Sequence, residues 1–125
     1  MREIHSRTIT GTDCYAYDNQ NAGCGIKSND PASYGPNFNS NGGGWYVVER
    51  SSTYIKVWFW PRGASNVPAA VRKGEGKADT STFGTPFANF VNSSCDIASH
   101  FGSHHIIINL TFCELSHYGG WQIIY

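Results

Sequence analysis

The chain has 125 residues, with nine basic and nine acidic side chains and a sequence pI of about 6.9. This length fits one domain, and the balanced charge leaves no basic patch for nucleic acid. No apolar run approaches the roughly 20 residues that span a bilayer, and residues 1–10 lack the apolar segment of a signal peptide.

Glycine and aromatic residues set the fold class. The sequence has fourteen glycines, seven tyrosines, seven phenylalanines and four tryptophans, and aromatic residues favour strands. The nearest candidate for a helix, residues 67–79, contains two glycines that break its pattern. The composition therefore predicts an all-β domain of five or six strands.

The first third of the chain predicts one short strand followed by a long loop. The strand lies within residues 1–10, whereas residues 11–43 are crowded with residues that favour turns. Loops of this length are usually functional or cross-linked. We expect Cys14 and Cys24 to hold this loop in place.

The middle of the chain predicts an aromatic hairpin. Its strands are residues 45–50 and 54–60, and residues 51–53 form a connection short enough for antiparallel pairing. Pro61 ends the second strand because proline cannot donate a hydrogen bond to a neighbouring strand.

The two faces of the second hairpin strand differ in chemistry. One face carries Ile55, Val57 and Phe59, and the opposite face carries Lys56, Trp58 and Trp60. The first set predicts core. Two interpretations of the second set stay open: burial between two sheets, which the pattern alone favours, or a tryptophan ladder that stacks on the flat C–H faces of sugar rings.

The last part of the chain predicts a loop over residues 61–80, a weak strand over residues 85–90 and the strongest strand over residues 106–112. The alternation of that last strand puts four apolar side chains on a core face, namely Ile106, Ile108, Leu110 and Phe112. Asn109 points the other way.

The cysteines and two glycosylation sequons point to the same compartment. The four cysteines, whose spacing fits no zinc pattern, are Cys14, Cys24, Cys95 and Cys113. They allow three pairings; local closure as 14–24 and 95–113 is preferred, and four buried free thiols are the alternative. Asn92 and Asn109 each begin an N-glycosylation acceptor sequence. Together these features favour an oxidising, secretory environment.

Other chemistry finds little support in the sequence. His100, His104 and His105 cluster, but no cysteine or carboxylate completes a metal-binding spacing. No G-x-S-x-G turn for a serine nucleophile occurs. We therefore expect no metal and no cofactor.

Four segments together are similar to a known family. Residues 21–26 (NAGCGI), 33–50 (SYGPNFNSNGGGWYVVER), 55–63 (IKVWFWPRG) and 83–113 (FGTPFANFVNSSCDIASHFGSHHIIINLTFC) resemble the C-terminal half of fungal glycoside hydrolase family 16 endo-1,3(4)-β-glucanases, the laminarinase-like enzymes. The resemblance implies a concanavalin-like β-jelly-roll sandwich with an open glucan cleft, of which residues 1–113 would be a partial domain. It also implies an extracellular, monomeric parent protein with disulfides and glycans.

The catalytic signature of that family is absent from this sequence. The family carries E-x-D-x-x-E on one strand, with two glutamates that must stand roughly 5 Å apart in a retaining enzyme. The glutamates of this chain, none of which lies in such a motif, are Glu3, Glu49, Glu75 and Glu114. We therefore expect no catalytic residue in this chain and no activity from the chain alone.

The resemblance also suggests which residues would contact a β-glucan. It favours placing Trp58 and Trp60 at the cleft, and it aligns His5 with a family histidine near the signature. Trp45 and Arg62 are further candidates from the hairpin itself, and for Arg62 a solvated charge at the end of a strand is the alternative to contact with sugar hydroxyls. A non-catalytic, lectin-like β-glucan-binding module is the alternative function. An isolated half of a sandwich leaves edges and apolar faces without partners, so we expect the chain alone to aggregate.

The resemblance stops at residue 113. Residues 114–125 differ from the family, and codons for Cys113-Glu114-Leu115 can contain GTGAGT, the usual start of a eukaryotic intron. The hypothesis is that this tail translates an unspliced intron, and the alternative is a genuine terminal strand, WQIIY. Transcript sequencing across this junction distinguishes the two.

Overall fold

The computed structural model describes residues 7–12, 15, 17, 20 and 23–107. It has five short strands, β1 (Arg7–Ile9), β2 (Ile26–Ser28), β3 (Gly44–Arg50), β4 (Tyr54–Pro61) and β5 (Ala88–Val91). Three short helices accompany them, α1 (Gly35–Ser40), α2 (Ala69–Lys73) and α3 (Ile97–His100), with a 3-10 turn at Thr80–Thr82. None of the helices in the described part of the chain is long and apolar enough to cross a bilayer.

The strands form two antiparallel sheets. β1 pairs with β2, and the larger sheet has the order β3-β4-β5. In the larger sheet the register runs from Gly44 opposite Pro61 to Arg50 opposite Ile55. The predicted hairpin is thus confirmed to within one residue at each strand, and Pro61 is the last residue of β4, as expected from its missing N–H.

Both faces of β4 are buried, and segments outside the larger sheet contribute to the cover of each face. On one face the ring of Phe59 lies 4.6 Å from that of Tyr46 and 6.3 Å from that of Phe38, which belongs to α1. The opposite face packs against the segment that follows β4, through Val67 and Phe83. The central strand therefore forms the core of this part of the chain.

The segment after β4 contains a short helix where the sequence predicted only loop. α2 spans Ala69–Lys73 and stops at Gly74, whose left-handed backbone (φ 66°) suits glycine. The break at this glycine was predicted correctly, but one and a half turns form before it because Val71 packs against the core cluster. Tertiary contacts of this kind stabilise helices that are too short to form alone.

The later strand predictions hold only in part. The weak strand was predicted over residues 85–90. The observed strand β5 starts three residues later than this, at Ala88, and ends one residue later, at Val91. Ile106 and Ile107 lie outside any strand and are 94% and 75% exposed, so the expectation that Ile106 is in the core is wrong. A strand needs a hydrogen-bonded neighbour, and these two residues have none in the described part of the chain. The rest of that predicted strand lies outside the described residues.

Candidate carbohydrate-binding surface

The hairpin brings the three candidate tryptophans onto one face of the sheet. Trp45 on β3 stands opposite Trp60 on β4, and Val47 stands opposite Trp58. Residues opposite each other in antiparallel strands project to the same side. The alternation of the sequence therefore predicted the composition of this face correctly.

Two of these tryptophans are buried in the structure. Trp58 and Trp60 are each 3% exposed. The ring of Phe83 stands edge-on to both, with centroids 5.7 Å and 5.5 Å away. The indole N–H of Trp58 donates to the carbonyl oxygen of Gly84 at 3.1 Å. In this arrangement neither indole offers a free face on which a sugar ring could stack.

Trp45 is only partly buried, and Arg62 covers it. The guanidinium carbon of Arg62 lies 4.1 Å from the centre of the Trp45 ring, a distance at which a cation is attracted to the ring. The Arg62 side chain is fixed by its Nε–H, which donates to the carbonyl oxygen of Gly42 at 3.2 Å. A Cβ atom at position 43 would lie 3.5 Å from a terminal nitrogen of the Arg62 guanidinium. The positive φ of Gly43, 89°, also favours glycine there. The exposed polar group of this pair is therefore the Arg62 guanidinium.

The carboxylates in the described residues serve local structure. Asp79 accepts hydrogen bonds from the backbone N–H and the hydroxyl of Ser81, and these bonds lower its pKa. Asp96 caps α3 by accepting from the N–H of Ala98 at 3.2 Å. Asp30 likewise accepts from a backbone N–H in its own turn, and Glu75 lies 3.8 Å from Lys73.

Glu49 is the one described carboxylate on the larger sheet, and sequence reasoning gave it no role. One of its oxygens accepts from the Tyr54 hydroxyl at 3.0 Å, and the other accepts from the Thr80 hydroxyl at 2.9 Å. Lys56, which stands opposite Glu49 in the register, places its ammonium 3.9 Å from the centre of the Tyr54 ring. The hairpin register pairs Glu49 with Lys56, so the sequence could have predicted a role for Glu49 within the hairpin. No pattern in the sequence predicts its contact with Thr80.

His100 and His104, two of the three histidines in the described residues, take part in hydrogen bonds. His104 Nδ1 lies 2.9 Å from the carbonyl oxygen of Gly102 and 3.3 Å from a guanidinium nitrogen of Arg50. His100 Nδ1 lies 2.8 Å from the carbonyl oxygen of Asp96. Within the described residues, no three His, Cys, Asp or Glu side chains come together as a metal site. His5 lies outside the described residues.

The two described cysteines differ in their bonding. Cys24 is disulfide-bonded, whereas Cys95 is a free and exposed thiol. The expected bridge between Cys95 and Cys113 is wrong, because Cys95 is a free thiol. The alternative of four buried free thiols is wrong as well, because Cys95 is exposed. Cys14 and Cys113 lie outside the described residues, so the pairing of Cys14 with Cys24 stays a prediction.

Comparison with known proteins identifies the family. A family model described as an XgeA-like, catalytic GH16 domain matches residues 1–122. The chain belongs to glycoside hydrolase family 16.

Its relatives are longer proteins. A probable endo-1,3(4)-β-glucanase of Aspergillus fumigatus is 41% identical over 106 residues, which are 85% of this chain and 15% of the relative. A probable glycosidase of Schizosaccharomyces pombe is 34% identical over 115 residues, covering 90% of this chain and 26% of the relative. The chain therefore spans a minor part of the curated relatives it matches.

Solved structures in family 16 share the fold. Laminarinase 16A from Phanerochaete chrysosporium, solved with 6-O-glucosyl-laminaritriose in donor and acceptor sites, has a TM-score of 0.74 and 46% identity over 78% of this chain and 33% of its own. An elongating family 16 β-1,3-glucosyltransferase has a TM-score of 0.62 and 38% identity over 78% of this chain and 31% of its own. The all-β fold of this family 16 chain is thus a partial jelly-roll, as the sequence resemblance implied.

Proposed function

We propose that this chain is the C-terminal part of an extracellular, monomeric β-glucan endohydrolase and that it does not hydrolyse glucan alone. One observation carries the proposal: the chain belongs to family 16, yet its 125 residues contain no E-x-D-x-x-E. The named relatives are a probable endo-1,3(4)-β-glucanase, of which the match covers 15%, and a probable glycosidase, of which it covers 26%. In the parent protein the two glutamates would come from a part of the chain that is not represented here.

The chemistry of the reaction supports the proposed inactivity. Retaining glycosidases need a nucleophilic carboxylate and an acid/base carboxyl roughly 5 Å apart on either side of the scissile bond. In the described residues, Asp79 and Asp96 are held in turns and caps, and Glu49 is held by Tyr54 and Thr80. For Asp79 the hydrogen bonds from Ser81 also lower the pKa, which favours the charged form over a proton donor.

The test is hydrolysis of laminarin by the purified chain, measured as release of reducing ends. We expect no release above the rate without protein. The positive control is the parent enzyme in the same assay, and the negative control is that parent with both signature glutamates changed to alanine. Hydrolysis by the purified 125 residues would overturn the proposal.

The proposed domain organisation follows from the same resemblance. Residues 1–113 form a partial jelly-roll domain, and residues 114–125 form a tail that differs from the family in sequence, although the family model matches as far as residue 122. In this arrangement, Trp58 and Trp60 contribute to the glucan cleft by supporting its wall from the core rather than by stacking on sugar.

A second candidate function is glucan binding without cleavage, and the Trp45–Arg62 pair is the observation that favours it. Arg62 is exposed, and its guanidinium lies over an indole and is fixed by the hydrogen bond to Gly42. A planar donor fixed in this way can pair with the vicinal hydroxyls of a sugar without first losing conformational freedom.

Affinity electrophoresis in gels that contain laminarin tests this function. We expect Arg62→Ala to weaken retardation several-fold, because the planar donor is lost. Lys77→Ala is the matched control, since it removes an exposed cation from the same connecting segment. Equal retardation of the Arg62→Ala and Lys77→Ala variants would remove this candidate.

A further inference from the structure

The turn that follows β5 displays an accessible acceptor asparagine. Asn92, Ser93 and Ser94 are all exposed, and within the described residues their side chains make no hydrogen bond. The backbone of the turn is anchored, because the Asn92 N–H donates to the carbonyl oxygen of Thr53 at 3.1 Å. The amide of Asn92 is therefore presented to solvent on a fixed backbone, with the Ser94 hydroxyl two residues further on.

We propose that Asn92 carries an N-linked glycan in the secreted protein. The donor is an oligosaccharide joined to a lipid through a pyrophosphate, supplied in the secretory pathway. A bond forms between Asn92 Nδ2 and C1 of the first sugar, the bond from C1 to the pyrophosphate oxygen breaks, and the amide loses one proton. The lipid pyrophosphate leaves with the electron pair, so no oxidant or reductant is needed. The proposal rests on secretion of the parent and is independent of its hydrolytic activity.

The register of the sheet places this glycan far from the Trp45–Arg62 pair. Val91, next to Asn92, stands opposite Tyr54 at the start of β4, whereas Arg62 follows Pro61 at its end. Seven residue steps along a strand correspond to roughly 23 Å. A glycan on Asn92 therefore leaves the Arg62 end of the hairpin open, and glycosylation is compatible with glucan binding there.

The experiment uses the chain secreted from yeast with a heterologous leader peptide. Its result therefore does not depend on whether the parent protein is secreted. Glycosylation is read as the change in gel mobility after endoglycosidase treatment and as occupancy of the Asn92 peptide by mass spectrometry. We expect Asn92→Gln and Ser94→Ala to lose one glycan. Ser93→Ala is the matched control because it keeps the acceptor pattern, and Ser94→Thr keeps it as well.

Two results would overturn the proposal. One is an unmodified Asn92 peptide in the secreted chain, and the other is the same mobility for the Ser94→Ala and Ser93→Ala variants. The glycan is attached during translocation, before folding is complete, so the mobility readout remains valid for a variant that folds poorly. Endoglycosidase digestion of the undenatured protein tests whether the turn is accessible in the folded state. We expect the Asn92 glycan to be removed, since the turn is exposed.

Discussion

Glu49 connects two parts of the chain that are far apart in sequence. It accepts from Tyr54 in the paired strand and from Thr80 in the segment that covers Trp58. The first contact follows from the hairpin register, which the alternation of residues made predictable. The second contact spans 31 positions and depends on how a loop folds back, which no local pattern encodes.

The hydrogen bond to Glu49 gives Tyr54 a measurable signature. The pKa of the Tyr54 hydroxyl is raised above its ordinary 10.0, first by this hydrogen bond, then by burial and by the negative charge of Glu49. Because the pKa in the folded state is raised, the stabilising contribution is present below pH 10 and is lost as the pH rises through the raised value. We expect Glu49→Ala to return the pKa towards the ordinary value.

The measurement is a tyrosinate absorbance titration of the parent protein, with the Tyr54→Phe variant identifying which of the titrating groups is Tyr54. Glu75→Ala is the control, because Glu75 contacts Lys73 rather than a tyrosine. Identical titration curves for the Glu49→Ala and Glu75→Ala variants would contradict the assigned contact.

The β3–β4 hairpin shows which parts of the fold the sequence determines locally. Alternation, a short polar connection and Pro61 were enough to predict both strands and the side chains on each face. The cover over Trp58 and Trp60 could not be predicted, because Val67 and Phe83 reach them from a connecting segment without strong periodicity. The same limit explains Ile106, whose alternating pattern indicates a strand although the described residues provide it with no partner strand.

The start of the hairpin leaves no room for a side chain at Gly44. A Cβ there would lie 2.5 Å from the ring of Phe59 and 2.6 Å from the carbonyl oxygen of Trp60, and the backbone of β4 cannot move away without losing pairing. We expect Gly44→Ala to destabilise the parent protein by about 1–3 kcal/mol, the usual cost of overpacking. The measurement is the midpoint of thermal unfolding.

Gly63→Ala provides the matched control for that substitution. A Cβ at Gly63 would meet no atom within 4 Å, so we expect a change of no more than about 0.5 kcal/mol, as for other surface substitutions. An unfolding midpoint for Gly44→Ala as high as that of Gly63→Ala would show that β3 and β4 do not pack as closely as the structure has them.

At the scale of the whole molecule, the described sheet exposes apolar side chains on two of its strands. Val48 on β3 is 59% exposed and Val91 on β5 is 53% exposed, although both lie on strands of the larger sheet. The structural match covers 33% of Laminarinase 16A. Sheet faces and edges without partners are sites of association between chains, and in the parent the remaining strands would occupy them.

We therefore expect the purified chain to form soluble aggregates or to precipitate, whereas the parent protein remains monomeric. The measurement is light scattering coupled to size-exclusion chromatography, together with thermal unfolding. Replacing exposed Val48 and Val91 with threonine should reduce aggregation of the chain because it lowers the apolar area while keeping β-branched side chains that suit strands. Thr53→Val, in the exposed hairpin turn, serves as a control of opposite polarity and should not improve solubility. A monomeric chain with one cooperative unfolding transition would show that these 125 residues fold as an independent unit, and that the exposed valines need no partner.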